Sequence, residues 1–120
     1  MRLLRDPGGQ HALVVRETGA VLAETLHAAF DSQSRRRGLL GRASWPAGYG
    51  LVLAPCSSIH TAFMRFPIDA VFVHRDGRVA KVARAVPPWR IRVRLGAFAV
   101  IELPAGAAAA VEVGRTVSLG

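Results

Sequence analysis

The chain has 120 residues, 51% of them apolar and 20% charged, which suits one globular domain with its own core and excludes collagen-like, coiled-coil and disulfide-scaffold classes. Sixteen basic residues against eight acidic ones give a net charge of +8, a field that attracts nucleic acid, acidic lipid, acidic protein or phosphorylated ligands without choosing among them. Cys56 is the sole cysteine, so no intramolecular disulfide forms.

No apolar run is long and unbroken enough to be a membrane span, because Pro46, Gly48, Gly50, Pro55 and His60 interrupt the longest uncharged stretch. The start, Met1 to Pro7, has no apolar signal core, and the expected location is cytoplasmic. Fifteen of the sixteen cations are Arg and twenty residues are Ala, so part of the basicity reflects compositional bias.

Residues 1–10, with Asp6-Pro7-Gly8-Gly9, predict a partly ordered N-terminal extension before a single barrel-like domain over residues 11–120. His11 to Glu17 predicts a strand, and Val21 to Ala28 a strand or a helix. Asp31 and Ser32 offer cap oxygens to a short helix over Ser34 to Leu40, stopped at Gly41. Trp45 to Gly50 is a loop. Leu51 to Ala54, Ile59 to Phe66 and Ala70 to His74 read as strands, the last apolar on both faces like a central strand.

Asp76-Gly77 is a hairpin turn into Val79 to Val86. Beyond Pro87-Pro88-Trp89, Arg90, Arg92 and Arg94 alternate with Ile91, Val93 and Leu95, which on a strand separates a basic face from an apolar one. Phe98 to Leu103 predicts a strand, Pro104 to Val113 a short Ala-rich helix stopped at Gly114, and Arg115 to Leu119 a closing strand. Many short strands with one or two short helices indicate a mostly β (β-rich α+β), compact barrel-like fold.

Three ordered segments carry a resemblance. They are Arg37-Gly38-Leu39-Leu40-Gly41-Arg42; Met64 to Phe72 with Asp76-Gly77-Arg78-Val79; and Val86-Pro87-Pro88 with Val100 to Gly106. Together they resemble the uncharacterised family called domain of unknown function 192. The resemblance implies a compact β-rich domain with no agreed activity. The chain departs from the commoner pattern: Phe63 replaces a Trp before Met64, and a polar Asn-Thr pair before Pro67 is missing. Cys56, His60 and Thr61 stand upstream instead, as in a subgroup of similar sequences.

Two acids stand among apolar neighbours: Asp69, opening an apolar strand, and Glu102, the sole charge between Ala97 and Val111. Unpaired, each would be costly to desolvate. One reading gives each a local role: Asp69 accepting backbone hydrogen bonds in a turn, and Glu102 pairing with Arg37, Arg42 or Arg65. The sharper reading gathers Arg37, His60, Met64, Arg65, Asp69 and Glu102 into one polar pocket for a small anionic molecule or a peptide.

Cys56, His60 and Met64, spaced by four, form an alternative soft-metal set for Cu or Zn if the segment is regular. The competing reading is a small buried Cys, a core-filling Met and a hydrogen-bonded His. Nucleic-acid binding through the Arg-rich face is a further alternative, but Trp89 is the sole aromatic near that stripe. Ser-elbow, phosphate-loop and zinc-protease motifs are absent from the sequence, which favours a non-enzymatic binding module.

Overall fold

A computed structural model describes residues 11–27 and 44–119. The expected extension over residues 1–10, the expected helix over 34–40 and the candidate Arg37 lie outside the described residues. Nine strands follow in chain order: β1 (His11–Val15), β2 (Val21–His27), β3 (Tyr49–Leu53), β4 (Ser58–His60), β5 (Ile68–Val73), β6 (Val79–Val86), β7 (Ile91–Val93), β8 (Ala99–Pro104) and β9 (Val117–Leu119).

β5 is buried at all six positions, and its unbroken apolar pattern reflects a place inside the sheet. The seven-stranded sheet runs β6-β5-β8-β3-β2-β1-β9, and β4 pairs with β7 as a separate two-stranded layer. The large sheet curls until its two edges meet at one end. There the Val79 amide donates to the Arg115 carbonyl (2.8 Å), Gly114 to Val79 (2.9 Å) and Val117 to Gly77 (3.0 Å). Gly77 makes that approach possible: its φ is 90°, and a Cβ would fall 2.5 Å from the Val117 carbonyl oxygen. The result is a mostly β, half-barrel fold.

Alternation along the strands splits the interior in two. Leu13, Val15, Leu26, Val52, Val71 and Ile101 belong to the core inside the curl. Leu51, Ile68, Ala70, Phe72 and Val100 face outward and are covered by Trp45, Ile59, Met64 and Phe66. The β4–β7 layer is attached to this outer face through Ile59, which is buried at the centre of β4.

Two sequence expectations are corrected. Pro104 to Val113 is not a helix but a run of tight turns, with Ala107, Ala109 and Val111 amides bonded three residues back. Gly106 at φ 93° cannot continue a right-handed helix, and Asp69 draws off the Gly106 and Ala108 amides. No helix occurs among the described residues. The strand expected over Ile59 to Phe66 ends at His60, because Phe63 at φ 66° turns the chain.

The turn after β1 is tied to the far end of the chain by Glu17, whose two carboxylate oxygens accept the Thr116 amide at 2.9 and 3.1 Å. That backbone hydrogen bond lowers the Glu17 pKa below its ordinary value of 4.5. A carboxyl with a depressed folded pKa adds stability above its unfolded pKa and loses it as pH falls through the folded one. The Thr116 amide resonance is therefore expected to shift below pH 4.5 in the wild type and to show no such titration in Glu17→Gln. An unchanged profile in Glu17→Gln would refute the link.

Candidate functional site

The expected pocket between Asp69 and Glu102 does not form. On the β5–β8 ladder Asp69 lies opposite Leu103, and Ala70 lies opposite Glu102. Opposed residues share a face and successive residues alternate, so the two carboxylates point to opposite sides of one sheet.

Asp69 faces inward and is fully engaged with backbone. Its Oδ1 accepts the Ala85 amide (2.8 Å), and its Oδ2 accepts those of Gly106 (3.0 Å) and Ala108 (2.8 Å). Ala85 has φ 49° in the irregularity where β6 carries an extra residue opposite Asp69, so this carboxylate fixes both a bulge and the turns after β8. Arg84 helps from the same strand by donating to the Ala108 and Val111 carbonyls. Asp69 does accept backbone hydrogen bonds, but not as the local turn cap expected, since its partners are 16, 37 and 39 residues away.

Glu102 is buried on the outer face, in a row across the strands with His27, Leu51, Ala70 and Ala83. His27 is the second buried ionisable group of this row, and the sequence reading missed it. Its ring lies 4.6 Å from that of Tyr49, and Trp45 links Tyr49 to Phe66 by ring contacts at 6.3 and 6.2 Å. The Trp45 indole N–H donates to the Tyr49 carbonyl (2.6 Å). Met64 is buried in the same outer layer, whereas His60 and Arg65 are exposed.

The soft-metal set loses its geometric premise. Residues 61–67 belong to no strand or helix, so a spacing of four does not place Cys56, His60 and Met64 on one face. Cys56 is half-buried with its thiol donating to the Ser58 carbonyl (2.9 Å), Met64 is in the core, and His60 faces solvent. No group of three His, Cys, Asp or Glu side chains suited to a metal occurs among the described residues. A shallow depression lies instead at the β5–β6 hairpin tip, lined by His74, Arg75, Asp76, Gly96, Ala97 and Phe98, with Arg75 over the Phe98 ring at 4.3 Å.

The β4–β7 layer holds the most unusual surface. β7 does alternate between Arg and apolar side chains, but the apolar side faces out. Ile91 is 68% exposed and Val93 42%, whereas Arg92, opposite the buried Ile59, is half-buried. Leu95 (77%), Trp89 (61%) and Phe63 (66%) extend the exposed apolar set. The Phe63 and Trp89 rings meet at 4.7 Å, tilted by 60°.

Both of these aromatics have left-handed backbones, at φ 66° and 63°. Such conformations cost about 1–3 kcal/mol each and persist only where the surroundings enforce them. Thr61 does so. Buried between the two loops, its hydroxyl donates to the Pro87 carbonyl (2.6 Å) and accepts the Arg90 amide (2.9 Å). Its backbone bonds Arg90, Trp89 and Met64 at 2.9, 3.0 and 3.2 Å. The guanidiniums of Arg90, Arg92 and Arg94 donate to the neighbouring carbonyls of Trp89, Ile91 and Leu95.

Comparisons with known proteins place this architecture. No curated protein matches the chain. A protein of unknown function from Novosphingobium aromaticivorans has a similar structure, with a TM-score of 0.70, 22% identity, and coverage of 91% of this chain and 83% of that one. A putative transcription regulator from Sinorhizobium meliloti is similar too, with a TM-score of 0.73, 19% identity and coverage of 95% and 96%. At these identities the likeness shows the fold. The DUF192 family model, described as an uncharacterized ACR, matches residues 13–119, and the chain belongs to that family.

Proposed function

We propose that the chain is a non-enzymatic binding module whose recognition surface is the β4–β7 layer, and that its ligand is a small anionic molecule or a peptide bearing a flat or apolar group. One observation carries the reading: Phe63 and Trp89 are exposed, in contact, and held in costly backbone conformations by a buried Thr61. Strain maintained around exposed aromatics is an expense that folding alone does not explain. Arg65, Arg90, Arg92 and Arg94 stand in the same two segments, and residues 57–68 and 87–97 contain no acid, so the ligand's charge is negative.

The reading against catalysis is supported by what the fold separates. Asp69 and Glu102 lie on opposite faces, and the Cys56 thiol is directed to a carbonyl oxygen. With residues 61–67 outside any strand or helix, the spacing that suggested Cu or Zn on Cys56, His60 and Met64 has no regular segment behind it, so a metal is not part of the proposal.

Anilinonaphthalene sulfonate, a flat aromatic anion, is a suitable probe. It is expected to bind the folded protein with a rise in fluorescence. Trp89→Ala or Phe63→Ala should weaken binding about tenfold, as the loss of an aromatic anchor does. Asp69→Asn, on the inner face, should leave the affinity of the folded fraction unchanged. Binding that is absent, or indifferent to both aromatic substitutions, would refute the proposal.

A further inference from the structure

A small ligand seated on Phe63 and Trp89 would leave Ile91, Val93 and Leu95 in water, although these three are 68%, 42% and 77% exposed. Contiguous exposed apolar surface of this kind marks contact with a protein or a membrane. The five side chains all stand on the two segments that build this lobe. Ile91 and Val93 share a face of β7 with His60 and Ser58 across the ladder, Trp89 precedes that strand in contact with Phe63, and Leu95 follows it in the turn.

The charge pattern narrows the occupant. A second copy docked through the same patch would set the arginines of one lobe against those of the other with no acid to pair them. A nucleic-acid strand stacked on the aromatics would gain little from three aliphatic side chains, and Arg92 alternates to the side of β7 away from Ile91 and Val93.

An anionic lipid surface uses every part. Apolar tips enter the headgroup–acyl boundary, Trp89 sits at the interface where its ring is favoured, and flexible guanidiniums reach lipid phosphates at the rim. We infer that the β4–β7 lobe, through Phe63, Trp89, Ile91, Val93 and Leu95 with Arg90 and Arg94 flanking the strand, docks the protein on an anionic lipid surface. The inference rests on the reading of this lobe as the recognition surface and names its partner.

The test is co-sedimentation of the full chain with vesicles of mixed phosphatidylglycerol and phosphatidylcholine, against vesicles of phosphatidylcholine alone. Expected are binding to the anionic vesicles, a blue shift of tryptophan emission, and release by salt. An Ile91→Ser, Leu95→Ser double variant should partition at least about tenfold less, from lost apolar contact. Arg90→Gln should weaken partitioning about fivefold. Both sites are exposed, so an unchanged far-ultraviolet circular dichroism spectrum certifies folding.

Failure to bind anionic vesicles, or equal binding by the double variant, overturns the inference. So does salt-sensitive binding of an oligothymidylate by a protein that ignores vesicles. If anilinonaphthalene sulfonate still binds through Trp89 when vesicles do not, the lipid partner is wrong and the small-ligand reading stands. If neither binds, both fall.

Discussion

Replacing Asp69 with Ala is expected to lower stability by about 3–5 kcal/mol, a large share of the roughly 5–15 kcal/mol available to a domain of this size. The side chain accepts three backbone amides in a buried setting, from Ala85, Gly106 and Ala108. Removing it strands the buried Ala108 amide, at a cost of about 1–3 kcal/mol, and leaves the part-buried Ala85 and Gly106 amides without their charged acceptor. It also removes the anchor that keeps Ala85 at φ 49°.

Asp69→Asn should cost less, about 2 kcal/mol, because the amide keeps one acceptor oxygen while turning an N–H₂ group toward at least one donor. Urea unfolding followed by circular dichroism measures both. A loss below about 1 kcal/mol for the Ala variant would show that the carboxylate is not the organiser of the bulge and the turns. The pattern also separates structure from binding: Asp69→Ala should shift the unfolding midpoint, with probe affinity per folded molecule unaltered.

What the sequence revealed and concealed follows from the range of the interactions. Asp76-Gly77 announced its hairpin because the turn needs a positive φ at one residue, a local demand that glycine meets. β5 was legible for a similar reason, since Ala70 to Val73 is an unbroken apolar run, the pattern a strand covered on both faces favours. The face of Glu102 relative to Asp69 was not legible. It depends on the β5–β8 register, and a shift of one residue in that pairing exchanges the faces.

β7 shows the same limit at smaller scale. Alternation of Arg with Ile, Val and Leu fixes that there are two faces but not which one meets solvent. That choice is made by Ile59, across the ladder, which takes the buried position and brings Arg92 to its own side. His27 escaped notice because Val21 to Ala28 fits helix and strand equally, and only pairing with Tyr49 to Leu51 assigns it a face. Phe63, placed by the linear reading in a strand away from Trp89, reaches that ring through bonds between loops far apart in sequence.

Those bonds converge on Thr61, and Thr61→Val is the substitution expected to affect recognition most for its size. Valine keeps the shape and the backbone hydrogen bonds but loses the hydroxyl, leaving the Pro87 carbonyl and the Arg90 amide without their side-chain partner. The cost should be about 1–3 kcal/mol, less than for Asp69→Ala because the Arg90 and Trp89 backbone bonds to residue 61 survive. The functional loss should be larger than that figure suggests. Phe63 and Trp89 each occupy a conformation about 1–3 kcal/mol above its alternatives, so a weaker clamp lets both loops relax to ordinary backbone angles and the rings separate. Near-ultraviolet circular dichroism should record the change, and probe and vesicle binding should fall together by about tenfold, the loss expected when an aromatic anchor is displaced. Thr61→Ser restores the hydroxyl and should recover most of both. Full binding by the Val variant would mean that the aromatic pair holds its pose without Thr61, and equal loss in Ser and Val would trace the effect to packing instead of to the hydrogen bonds.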